Sequence, residues 1–319
     1  MLAVHNYHDH HTALPTATAE VNFKDNTRAH NFSCQFHMLP YLEGMPRYSE
    51  IVNSPDLIAV AADNDLLRGK IAVYLCPSDP SSGRPGIFNN LTRCNIMTCR
   101  GDFSLHNAIF SGTPAGIIAS AIGRAPFMIT NNADSFTIAT QNVWRGFEGI
   151  TDGTSNTMAI SEAASNESPE SRSIFGAVSQ YTISGDATSA LPPSGCFDLI
   201  DPSTLQYTST APLATALYRG CVMTDGRPAR SGFTACLPPN SPSCLNNVVD
   251  PERRMGYFSA TSFHGNGVNI GMFDGAVRYV ANSIDAGRMT DQQAYNGERS
   301  PYGVWGALGT IAQGESVSF

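Results

Sequence analysis

The residues from Asp152 to Thr157 (DGTSNT) crowd side-chain oxygens into one short string, and Glu162 follows a few positions on. Hard oxygen donors at that density suit Ca2+, and Asp152, Thr154, Asn156 and Glu162 are the set that would hold it. The spacing departs from an EF-hand loop, because Ala163 stands where the bidentate glutamate belongs and the sixth position, Thr157, is not glycine. Asp and Asn also bond their own backbone, so the same string reads as a structural turn entering a strand.

A second ligand-rich stretch is His5, His8, His10 and His11 with Asp9. On a helix His8 and His11 share a face and could take up nickel or zinc opportunistically. A catalytic zinc site needs three fixed ligands with outer support, which the end of a fraying helix does not supply, so a solvated or capping cluster is the plainer reading. A hydrolase would combine Ser155 with His264 and an aspartate. If residues 268–273 form a strand, His264 and Asp274 lie about 20 Å apart, too far for a dyad. His264-Gly265-Asn266-Gly267 resembles the oxyanion loop of lipases, but no GxSxG, HExxH or GxxxxGK string accompanies it. His264 is then a hydrogen-bonded residue at the entry to a hairpin.

For a stacking surface the candidates are Trp144 and its neighbour Arg145, with filling of a β-sheet core as the alternative use of the aromatics. Nucleic acid is excluded as a partner: 27 acidic against 19 basic residues give a net charge of −8, and the cations form no stripe.

Eight cysteines occur without a CxxC pair, which is not how zinc is usually held. They sit among Pro, Ser, Asn and Gly, and the short separations of Cys94 from Cys99 and of Cys236 from Cys244 predict local disulfides and an oxidising compartment. The full connectivity is open, with buried reduced thiols as the alternative.

These candidates must be positioned by a loop-rich chain. Charged residues are only 14% of the 319, hydrophobic residues are 42%, and Gly and Pro number 28 and 20, so a sizeable core forms between many turns. No apolar run is long enough to span a bilayer, and the first residues lack the pattern of a signal peptide. The pattern predicts a helix over the first fifteen residues, ended by Pro15, and short helical turns over 36–51 broken at Pro40 and Pro46. Strands are predicted at 71–75, 136–140 and 157–161. Residues 164–254, rich in Pro, Ser and Thr with four cysteines, read as a stapled insertion. Over 268–281 the Asp274-Gly275 pair predicts a two-residue type I′ hairpin, with Met272 opposite Val277, Ile270 opposite Tyr279 and Val268 opposite Ala281 on one apolar face.

At that hairpin a family resemblance becomes visible. His264, nine residues, then Asp274-Gly275 resembles the C-terminal signature of a bacterial prepilin-like family catalogued as domain of unknown function 1559. Residues 2–15 (LAVHNYHDHHTALP), 39–43 (LPYLE), 74–80 (YLCPSDP) and 150–157 (ITDGTSNT), followed by Glu162, agree with it in order. The resemblance implies an α+β fold: a pilin-like head of residues 1–319, with a short N-terminal helix, the remnant of a stem, on an antiparallel sheet with long disulfide-stapled loops. The head has a hairpin motif at 258–285, and the loop-rich insertion at 164–254 departs from the family pattern, with no motif matched there. His264, Asp274, Gly275 and Cys76 are its structural motif residues. It further implies a cleaved leader and a hydrophobic stem for self-assembly and membrane retention. That stem is expected before Leu2 and is missing here, so this chain itself has no membrane contact. Cys76 would then have lost a partner cysteine.

The expectation is a non-catalytic, extracytoplasmic pilin-like or pseudopilin-like surface protein with no cofactor beyond calcium. A carbohydrate- or solute-binding module, with glycans as partners, is the alternative, and a secreted hydrolase the second.

Overall fold

The computed structural model describes residues 1–22, 28–54, 65–86, 90–103, 124–127, 145–168, 170–181, 192–214, 217–246, 256–291 and 298–315. The fold is α+β, with few helices and mainly antiparallel sheets. Helix α1 (Leu2–His11) ends at Thr12, whose left-handed backbone (φ 54°) closes the last turn through its N–H to the His8 carbonyl. Pro40 and Pro46 start elements rather than break them. Pro40 opens a 3-10 turn (Leu39–Leu42) after α2 (Cys34–His37), and Pro46 sits in the first turn of α3 (Met45–Val52), where its missing N–H costs nothing.

The central sheet has five strands in the order β12-β11-β4-β3-β8. These are β3 (Ile96–Cys99), β4 (Met158–Glu162), β8 (Gly232–Phe233), β11 (Gly267–Met272) and β12 (Val277–Ala281). All neighbours are antiparallel except β3 and β8. One face buries Met97, Met158, Ile270, Met272 and Val280 against Trp305 and Leu308 of a short C-terminal helix, α4 (Gly303–Gly309). The other receives α1 through Ala3 and Val4, which pack with Ala159 and Phe273. A bulge between Gly271 and Met272 in the β4–β11 ladder turns Ile160 toward that helix face. Gly271 lets the helix come close, since a Cβ there would stand 2.8 Å from the Ile160 side chain and 3.4 Å from that of Met1.

Residues 164–254 include β8, so they supply a strand of the central sheet. They also supply β5 (Ser179–Tyr181) and β9 (Cys244–Asn246), which form a second sheet with β10 (Gly256–Tyr257). Where ladders end, buried guanidinium groups satisfy the loop carbonyls. Arg219 donates to the carbonyls of Pro228, Ala229, Gly232 and Ser259, and burial pushes its pKa down to about 9. Asp225 is held between Arg227 and Arg230, and Asp102 pairs with Arg124 through both carboxylate oxygens.

Four sequence expectations need correction. Residues 71–75 are not a strand, since Ala72–Tyr74 form a 3-10 turn. Cys94 and Cys99 are unbridged because the chain between them runs out along β3, and five near-extended residues span about 16 Å against the roughly 5.5 Å a disulfide needs. Cys244 bonds Cys196 rather than Cys236, with Cα atoms 5.6 Å apart. Burial pushes the Cys34, Cys94 and Cys99 thiols up to about 12, so they stay protonated and inert. The hairpin register is shifted by one: Gly271 faces Val277, Ile270 faces Arg278 and Val268 faces Val280. Phe273, Asp274 and Gly275 form a three-residue loop, with the Gly275 N–H donating to the Met272 carbonyl and Gly275 at φ +92°. Val277 and Tyr279, expected in the core, are 73% and 52% exposed. The expected strand at 136–140 lies outside the described residues.

Candidate functional site

Three landmarks far apart in sequence meet at one end of the central sheet's middle strand. Cys76 follows the 3-10 turn and precedes Pro77, Glu162 is the last residue of β4, and His264 lies in the loop leading into β11. His264 Nε2 stands 3.3 Å from Cys76 Sγ and 3.0 Å from Glu162 Oε1. One donor atom from each of the three lies within 4.8 Å of the other two. The site opens to solvent, with the His264 and Glu162 side chains 29% and 13% exposed.

Each member is fixed from behind. Glu162 Oε2 accepts the Asn269 backbone N–H at 2.8 Å, the Asn269 side-chain amide donates to both carboxylate oxygens at 3.2–3.3 Å, and Oε1 faces His264. The His264 N–H donates to Ser262 Oγ at 3.1 Å, and its carbonyl accepts from the Tyr279 hydroxyl at 3.2 Å. The Cys76 N–H donates to Asn95 Oδ1 at 2.9 Å. Asn95 is buried, and its amide donates to Asp79 Oδ2 and the Ala163 carbonyl. Asp79 also accepts from Ser81 and from the Ser165 N–H. The Cys-Pro-Ser-Asp turn is thereby bolted to the strand that carries Glu162.

This is not the geometry of a cysteine nucleophile. There the base uses one ring nitrogen for the thiol and the other for an orienting acid. Here thiol and carboxylate converge on the same nitrogen.

The oxygen-rich string takes a different place. Asp152 Oδ2 and Oδ1 accept the backbone N–H groups of Gln313 and Gly314 at 2.9 and 2.8 Å. Asn156 Nδ2 returns to the Asp152 carbonyl, and Thr157 Oγ1 donates to the Gly153 carbonyl. The carbonyl of Thr154 accepts the Asp274 N–H. Glu162 stands at the far end of β4 and faces His264. Asp274 and Gly275 shape the hairpin turn at the opposite end of β11 from His264, with Asp274 Oδ1 accepting the Ala276 N–H.

The N-terminal imidazoles are taken up in ring contacts and one backbone bond. His5 bonds the Phe273 carbonyl at 2.8 Å, His5 and His8 pack on Phe147, and His11 packs on Tyr7. Arg145 is half-buried, which lowers its pKa, and its carbonyl accepts the Leu14 N–H. Trp144 lies outside the described residues.

Cys76, Glu162 and His264 were each visible in the sequence motifs, but nothing there signalled that they meet. Asn95 and Asn269, which fix two of them, carried no signal at all.

Residues 1–287 match the family described as protein of unknown function (DUF1559), SBP_bac_10, and the chain belongs to that family. No curated protein and no solved structure gives a significant match. Among the described residues no helix is long and apolar enough to cross a membrane.

Proposed function

We propose that the protein is a non-catalytic, extracytoplasmic, pilin-like surface subunit that self-assembles through a helical stem running into α1. The observation that carries this reading is α1 itself, an N-terminal helix laid against one face of an antiparallel sheet, the arrangement expected of a pilin-like head. Leu2 at its start is 75% exposed beside the exposed hairpin residue Val277, an apolar margin suited to continued helix packing. The Cys196–Cys244 bond suits an oxidising compartment. Immunogold microscopy of the producing cells, with an antibody against this chain, tests the proposal. Rows of gold along surface fibres are expected, and gold confined to the cytoplasm or scattered singly over the envelope overturns the assembly role.

A solute-binding role is the second reading, favoured by a groove of about 610 Å3 between α1 and the sheet. Met1, Leu2, Ile160 and Val277 line it together with the polar Asp9, Glu162 and Asn269, and no Phe, Tyr or Trp is among its described lining residues, so it offers a solute no ring on which to stack.

A further inference from the structure

We infer that Cys76, Glu162 and His264 form a binding site for a zinc-class divalent ion, with three protein ligands and one coordination position open to solvent.

The geometry is close to that of a loaded site. Around a tetrahedral ion with Zn–S near 2.3 Å and Zn–N and Zn–O near 2.0–2.2 Å, sulfur and nitrogen stand about 3.5 Å apart, and nitrogen and oxygen about 3.4 Å. The two separations from His264 are 3.3 and 3.0 Å, so these pairs need open by only a few tenths of an ångström, and Cys76 Sγ lies within 4.8 Å of the Glu162 carboxylate, against about 3.6 Å around the ion. The three donors come from three separate segments and gather within 4.8 Å of one another.

The donor chemistry selects the metal. A thiolate with an imidazole and one carboxylate suits zinc and its borderline neighbours, whereas Ca2+ and Mg2+ take oxygen. Asn269 donates to Glu162, and Asn95 accepts the Cys76 backbone N–H; these are outer contacts of the kind that hold ligands in place before an ion arrives. Asn95 and Asp79 are both nearly fully buried, so this support is part of the core rather than an adaptable surface. The exposure of Glu162 and His264 gives the ion a way in and leaves the fourth position to water or to a donor from another molecule.

The test is zinc titration by calorimetry of the full chain, purified anaerobically so that Cys76 stays a thiol. One equivalent of Zn2+ is expected to bind, with Cys76→Ala, His264→Ala and Glu162→Gln each weakening it at least about 100-fold. A variant with His5, His8, His10 and His11 all changed to Ala should bind within threefold of the parent. Circular dichroism checks the fold of each variant. Cobalt loading of the unsubstituted chain gives a readout independent of them, since a thiolate ligand adds a sulfur-to-cobalt charge-transfer band that Zn2+ displaces. The inference is overturned by no zinc binding at 100-fold excess metal, by binding that survives Cys76→Ala, or by binding lost with the N-terminal histidines. It is equally overturned if alkylation and mass spectrometry find Cys76 of the native protein in a disulfide.

Discussion

The two ends of β4 carry the two groups of residues with the strongest look of a ligand site, and they behave oppositely. Before Met158, the string from Asp152 to Thr157 is dense in oxygens, yet both Asp152 oxygens are occupied by the backbone amides of Gln313 and Gly314. After Ser161, Glu162 Oε2 accepts the Asn269 backbone N–H, whereas Oε1 has no backbone partner and, beside the Asn269 side-chain amide, faces His264 and Cys76. Density of donors is therefore a poor guide. What separates a pinned turn from a candidate site is whether the donors are already committed to the backbone.

The largest effect expected is for Asn95→Ala. It removes an acceptor from Cys76 and donors to Asp79 and Ala163 inside the core, and should lower stability by about 4 kcal/mol in urea unfolding. The same change should weaken zinc binding 10- to 100-fold, as loss of outer support does. Asp152→Ala is next, at about 2 kcal/mol, because it strips the half-buried Gln313 amide of its charged acceptor, while the exposed Gly314 amide can turn to water. Unlike Asn95→Ala, it should leave zinc affinity unchanged. If Asp152→Ala instead costs under about 1 kcal/mol, the turn is not a pin, and the contrast between the ends of β4 is lost.

The smallest effect is for Val277→Lys, expected within about 0.5 kcal/mol because the side chain is exposed. A cost of several kcal/mol would restore the register read from sequence. That misreading has a specific cause. Asp-Gly permits both a two-residue and a three-residue loop, and the choice rests with Phe273. Its ring is fully buried against Phe127 and Phe147, and its N–H bonds the Thr157 carbonyl, which draws it into the loop and reverses the faces of β12. Contacts over more than a hundred residues decide this, and no local pattern holds them.

Other parts were legible because they are local. The N-terminal helix, the strand after DGTSNT and the hairpin itself all follow from short-range pattern and turn chemistry, and the order of motifs was enough for the family. The disulfide was not legible, since its cysteines are 48 residues apart and Cys244 passes over the nearer Cys236. The site fell between these cases. Its three side chains stood out singly, but their meeting depends on β4 and β11 being neighbours and on Asn95 anchoring the Cys-Pro turn.

X-ray absorption at the zinc edge of the loaded full chain tests that meeting most directly. One sulfur at about 2.3 Å with nitrogen and oxygen at about 2.0–2.2 Å is the predicted first shell. A shell of nitrogen and oxygen alone would place the metal elsewhere and contradict the convergence of Cys76, Glu162 and His264.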